Sequence, residues 1–139
     1  MFTDNAMKLT EQRQFRIRKE IVLLLCVDSE EGSTIRRTLE AVGFPVVTAD
    51  NSEEAADLFR SFNSAIRLLI LDVALPGEST LEDIAALRES NPTLKVIVAS
   101  KEVSPRERHV IHVAGVIELI RKPVDKEQLL QVVRRIVVK

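Results

Sequence analysis

Four residues in this chain carry side chains suited to handling a phosphoryl group: Asp28, Asp72, Ser100 and Lys122. Each stands where an apolar run gives out. Asp28 follows residues 21–27, Asp72 follows 68–71, Ser100 closes "VIVAS", and Lys122 comes directly after "VIELIR". A carboxylate can attack a phosphoryl group and hold it as an acyl phosphate. Positioning and charge neutralisation then supply most of the catalysis. A second acid helps hold Mg²⁺, while a lysine and a hydroxyl bind the remaining oxygens.

Each of these residues also has a plainer role. Asp28 can N-cap the helix that starts in "DSEEGS", and Asp72 can end its strand by capping a loop. Lys122 reads as a surface lysine unless the attached Pro123 marks a fixed turn. Cys26 sits inside the first apolar run and reads as a small buried thiol. His109 and His112 are three apart and can share a helix face, yet no acid or third histidine lies at ligand spacing, so exposed or core-edge histidines are expected. Arg106, Arg108, Arg121, Arg134 and Arg135 form a solvated basic face or a partner surface.

The elements that must position these side chains alternate with regularity from residue 21. Residues 21–27 are a strand apolar on both faces. A helix follows, with Ile35, Leu39 and Val42 inward, Arg36 and Arg37 outward and Gly43 as its stop. "FPVVTAD" is a short strand whose Pro45 suits an edge or a strand entry. The next helix is capped by Asn51 or Ser52 and turns Ala55, Leu58, Phe59 and Phe62 inward. "RLLILD" is the third strand, and "TLEDIAALRES" a helix ending before Pro92. "LKVIVAS" is the fourth strand, and then comes a helix with Ser104 as N-cap, Pro105 at N1 and Gly115 beyond its end. "VIELI" is the fifth strand, and the last helix opens on Asp125 and Gln128, spaced as a capping box. Five such βα units define an α/β doubly wound parallel sheet. In such a sheet the strand carboxyl ends share one edge, where ligands bind.

Bulk composition narrows the function further. The chain has 139 residues, with 20 Lys and Arg against 21 Asp and Glu, a net charge of −1. That balance gives no electrostatic case for nucleic acid or an anionic membrane as the main partner. One cysteine excludes an internal disulfide and any multi-cysteine zinc site. No stretch is long and apolar enough to span a membrane, and the polar N-terminus has no signal-peptide core. A cytoplasmic location is expected. Residues 1–20 form an N-terminal extension, a frayed arm or short helix with docking as the alternative, ahead of a domain at 21–139. An α/β enzyme is disfavoured. There is no glycine-rich phosphate loop and no nucleophile elbow, and no second aspartate follows Asp72 two residues on.

"LLILDVALPG", with the serine of "VIVAS" and the lysine of "RKP", resembles the receiver domain of bacterial two-component response regulators. The resemblance runs from about residue 21 to the end. It implies a flavodoxin-like (βα)5 fold with strand order 2-1-3-4-5. It makes Asp72 the phosphoacceptor, Ser100 the switch hydroxyl, and Lys122 the phosphoryl clamp, joined to Pro123 by a bond typically cis. It implies Mg²⁺ held by Asp28, Asp72 and the backbone carbonyl of Ala74. The partners it implies are a sensor histidine kinase or phosphotransfer protein upstream, and a downstream protein or output domain contacted through the helix 4/strand 5/helix 5 face. Dimerisation through helices four and five is compatible with it.

Three residues depart from the family's pattern. The first strand usually ends in two consecutive acids, and the second, a direct Mg²⁺ ligand, is here Ser29, so a weakened metal site is expected. The aromatic usual three residues before the lysine is Leu119. The glycine usual eight residues beyond the acceptor is Thr80, a β-branched residue that tolerates positive φ poorly. Two expectations follow: a phosphorylation-dependent switch that is not itself an enzyme, or a phosphorylation-independent pseudo-receiver that binds a protein partner. With nothing after the last helix, the domain is expected either to act alone or to belong to a longer regulator.

Overall fold

The computed structural model describes residues 20–26, 29–62, 65–73, 78–101 and 104–137. Among these, strands and helices alternate: β1 (Ile21–Cys26), α1 (Ser29–Ala41), β2 (Val46–Ala49), α2 (Ser52–Phe62), β3 (Ile66–Asp72), α3 (Glu78–Ser90), β4 (Lys95–Ser100), α4 (Pro105–Val113), β5 (Val116–Arg121) and α5 (Lys126–Val137). The strands pair in parallel in the order β2-β1-β3-β4-β5. That is the doubly wound, flavodoxin-like arrangement expected from the alternation, with β2 at an edge as Pro45 suggested.

Successive strand side chains point to opposite faces, and the inner strands are apolar on both, so each side of the sheet has its own core. Leu23, Leu25, Leu69, Leu71, Val96 and Val98 pack with residues of α2, α3 and α4. Val22, Leu24, Leu68, Ile70, Ile97 and Ile120 pack with Ile35 and Leu39 of α1 and with Leu129, Val132 and Val133 of α5. Each fully buried Leu or Ile contributes roughly 1.5–3 kcal/mol relative to exposure.

The β1–β3 register pairs Val22 with Leu68, Leu24 with Ile70 and Cys26 with Asp72. Two adjacent apolar rows on the α1/α5 face therefore end, side by side, in a thiol and a carboxylate.

The helix ends follow local chemistry. Past α1, the Phe44 N–H donates to the Leu39 carbonyl (3.1 Å) and the Gly43 N–H to Glu40 (3.0 Å), a Schellman closure with Gly43 at φ +98°. Val42 falls in this turn rather than on the helix, although it still packs on the α1/α5 core. Asn51 caps α2, its Oδ1 accepting the Glu54 N–H (2.8 Å) while Glu54 accepts from the Asp50 N–H (2.7 Å). Phe62, expected inward, is exposed at the last residue of α2. Ser104 and Glu107 form a reciprocal capping box on α4, with bonds of 3.1 and 2.9 Å. At α5 the Asp125 carboxylate takes the Glu127 N–H at 3.0 Å.

Candidate functional site

Asp72 ends β3, Ser100 ends β4 and Lys122 follows β5, all at the carboxyl edge of the sheet. The three are 0%, 1% and 7% exposed. The Lys122 ammonium forms an ion pair with Asp72 Oδ1. A charge removed from water must be paired, and here each group supplies the other's counter-charge. The β3–β4 register pairs Asp72 with Ala99, one residue before Ser100. Backbone bonds continue past the strand ends: the Val73 N–H donates to Ala99 (3.0 Å) and the Lys122 N–H to Ser100 (2.9 Å). The Lys122–Pro123 peptide is cis, as expected from the sequence.

Cys26 is the β1 neighbour of this pair. On the first turns of α1, Gly32 closes the gap. A Cβ placed there would stand 2.5 Å from Cys26 Sγ and 3.2 Å from Asp72 Oδ2. The helix backbone thus approaches thiol and carboxylate as closely as a residue without a side chain permits. Burial first, and then the negative charge of Asp72, push the Cys26 thiol up from 9.0 to about 11. At neutral pH it is a neutral S–H group.

Asp28 and Ala74 lie outside the described residues, as do residues 1–19 and the Pro76-Gly77 turn; the side chains of Ser29 and Thr80 do too. The β1 residue that the register sets beside Asp72 is Cys26, two positions before Asp28.

The other edge of interest is the α4–β5 face. A groove of about 650 Å³ lies there, lined by Arg108, His109, His112, Ile117 and Leu119 among others. Both histidines are exposed, and among the described residues no three His, Cys, Asp or Glu side chains could hold a metal ion. Leu119 is half-buried and packs on the α2/α3/α4 core. Of the basic residues, Arg135 reaches from α5 to Glu118 on β5 at 2.8 Å.

Two features escaped the sequence reading. Arg88 of α3 donates to the carbonyls of Leu94 (3.3 Å), Ala114 (2.6 Å) and Gly115 (2.8 Å), tying α3 to the α4–β5 turn. No local motif marks a contact made across 26 or 27 residues. The Cys26–Gly32–Asp72 cluster was equally hidden, since only the β1–β3 register brings it together.

A doubly wound parallel sheet with a buried acid, hydroxyl and lysine at its carboxyl edge defines a switch-point site of the α/β class. The response regulator receiver domain profile matches residues 24–134, and the chain belongs to that family. It is 31% identical over 115 residues to the transcriptional regulatory protein CpxR of Escherichia coli (83% of this chain, 48% of CpxR). A response regulator from Thermotoga maritima superposes with a TM-score of 0.77 at 30% identity, over 86% of this chain and 98% of that one. A receiver protein from Pseudomonas putida gives 0.71 at 30% identity, over 84% and 96%. The chain spans about half the length of the curated relatives it matches, CpxR among them.

Receiver domains are signalling modules, and they typically bind Mg²⁺ at their phosphorylation site. Of the residues expected to hold that ion, Asp72 alone is among the described residues, and its Oδ1 pairs with the Lys122 ammonium. The neighbour on β1 is a neutral thiol, whereas Mg²⁺ takes near-octahedral oxygen ligands.

Proposed function

We propose that this chain is a phosphorylation-dependent signalling switch with Asp72 as its acceptor. The observation that carries this reading is the buried ion pair of Asp72 and Lys122 at the strand ends, with Ser100 buried beside it. A carboxylate oxygen of Asp72 attacks the phosphorus of a phosphohistidine on a sensor kinase or phosphotransfer protein. The new P–O bond forms as the P–N bond breaks, and the imidazole keeps the electron pair and takes up a proton. Lys122 neutralises the added negative charge, and the Ser100 hydroxyl donates to a phosphoryl oxygen. The α4–β5–α5 face then changes partners, contacting a downstream protein or an output domain such as the one the name of the transcriptional regulator CpxR points to. A cytoplasmic location belongs to this reading.

A second reading, a phosphorylation-independent pseudo-receiver, is favoured by one observation: Ser29 stands where the family's second consecutive acid usually does. Acetyl phosphate with Mg²⁺ separates the two. Under the first reading the protein gains the mass of one phosphoryl group, Asp72→Asn does not, and NMR signals of Ser100 and Lys122 shift with beryllofluoride. No mass gain and no shift at millimolar Mg²⁺ leave the pseudo-receiver.

A further inference from the structure

We infer that Arg88 of α3 is a positioning residue that pins the α4–β5 turn, so that α4 swings as a lever about its carboxyl end and opens the α4–β5 groove from the Pro105 end. Three observations carry this.

The first is a clamp. The Arg88 guanidinium, in the last turn of α3, donates to the carbonyls of Ala114 (2.6 Å) and Gly115 (2.8 Å), and its Nε donates to Leu94 (3.3 Å). Ala114 and Gly115 are the whole connection between α4 and β5, and Leu94 directly precedes β4. A planar fork with fixed donor directions holds several carbonyls in one arrangement, and its charge suits the negative end of the α4 dipole. Asn91 adds a bond to the Ile66 carbonyl at the start of β3 (3.0 Å). The end of α3 thereby secures the entries of three adjacent strands.

The second is where α4 is anchored. Of its described side chains only Ile111 is buried, and it joins the α2/α3/α4 core two residues before the helix ends. Pro105, Arg106, Arg108 and His109, in the first half, are exposed. The Ser104–Glu107 box at that end ties the helix to its own cap. A segment with few buried contacts and exposed backbone bonds is the part of a fold that opens at low cost.

The third is the length of the connections. Two residues join α4 to β5, whereas four, 101–104, join it to Ser100 at the end of β4. A nine-residue helix is about 13 Å long, so a tilt of about 10° around its carboxyl end carries Pro105 by about 2 Å. The groove is lined by Pro105 and Arg108 toward one end of α4 and by His112 and Val116 toward the other. It therefore widens beside Pro105 and keeps its width beside Val116.

This inference deepens the proposed switch by stating how the groove on its output face is regulated, but its test uses no phosphoryl donor. Amide hydrogen exchange would be measured by NMR on the wild-type chain, Arg88→Ala and Ile84→Ala. Ile84 is buried on the same helix, in the core that Ile111 joins, so its loss destabilises α3 without removing the clamp. In the wild type, the amides of His112, Val113 and Gly115 are expected to be protected at least about tenfold more than that of Arg108. Arg88→Ala should lower protection at 112, 113 and 115 at least about tenfold beyond its effect on Ile70 and Ile97 in the sheet. Ile84→Ala should lower all of these together. Millisecond relaxation dispersion, confined to the first half of α4 in the wild type, should spread to residues 112–115 in Arg88→Ala.

A loss at 112, 113 and 115 no larger than that in the sheet overturns the inference, because a merely structural arginine would lower all sites alike. So does the same selective loss in Ile84→Ala. Should Arg88→Ala fail to fold, Arg88→Lys decides, since it keeps the charge and loses the planar fork: a selective loss of at least about threefold supports the inference, and none overturns it. Failure of the acceptor reading would appear separately, as no mass gain with acetyl phosphate, whatever the exchange pattern.

Discussion

Lys122 and Asp72 hold each other's charge inside the protein, at 7% and 0% exposure. Neither side chain is fixed by its own strand alone. The carboxylate ends β3, the ammonium follows β5, and β4 lies between them. The pair therefore joins the two strands that flank β4.

Removing one member should cost far more than a surface ion pair would. Lys122→Ala is expected to lower unfolding stability by about 3–5 kcal/mol, because a buried carboxylate loses the charge that offsets it. Asp72→Ala should cost a similar amount, and the double substitution much less than the two singles added together. Urea titrations of the four proteins give the coupling energy directly.

Gly32→Ala tests the close approach of α1. Its Cβ would press on Cys26 Sγ and crowd Asp72 Oδ2. Overpacking of this kind costs about 1–3 kcal/mol. Cys26→Ala removes the first of the two obstructing atoms, so the Gly32→Ala penalty measured in a Cys26→Ala background should fall by at least about half. Equal penalties in both backgrounds would show that the thiol is not the obstruction.

The Cys26 thiol sets a pH dependence with a definite sign. Its value is raised in the folded state, from 9.0 to about 11. Between these values the unfolded chain has lost the proton and the folded chain has kept it, so stability falls as pH rises through that window and levels off above it. Cys26→Ser should remove this slope from urea midpoints taken between pH 8 and 11. Alkylation of the thiol should be slow at neutral pH. It should speed up in Asp72→Asn, which removes a negative charge that raises the thiol, and slow down in Lys122→Ala, which removes a positive charge that lowers it.

Arg88 and Gly115 make a second reciprocal pair. Gly115 has φ +92°, and a Cβ there would run into Arg88 Nη1. Arg88→Ala should cost about 1.5–3 kcal/mol through its lost charged hydrogen bonds. Gly115→Ala should pay the left-handed backbone penalty of about 1–2 kcal/mol and displace the guanidinium as well. Once Arg88 is gone, only the backbone part should remain, which thermal unfolding of the double variant would show.

The fold was legible because its signals are local. Apolar runs of strand length, amphipathic helices, Gly43 and Gly115 at helix ends and Pro105 at a helix start all act within a few residues. The Ser104–Glu107 box is written locally in "SPRE" as well. Asp72, Ser100 and Lys122 could be picked out because each ends an apolar run, and a parallel sheet gathers such ends. What the sequence hid depends on register. Counting along β1 does not reveal that Cys26 is the residue paired with Asp72; only pairing with Leu68 and Ile70 further down the same strands decides it. Arg88 was hidden for the same reason, since its partners at 114 and 115 belong to another part of the chain. Phe62 was misplaced because helical periodicity does not say where the covering layer stops.

The contact between Cys26 and Gly32 has an evolutionary consequence. The two positions lie six apart in sequence, one on a strand and one on a helix, yet they draw on a single fixed volume beside the Asp72 carboxylate. A lineage descending from this chain can enlarge residue 32 only by shrinking residue 26, and can fill position 26 with a bulkier acid only while position 32 remains glycine. The order of historical change is thereby constrained. A lineage that enlarges position 26 must pass through sequences that keep this glycine, so substitutions at 26 and 32 should appear as correlated pairs.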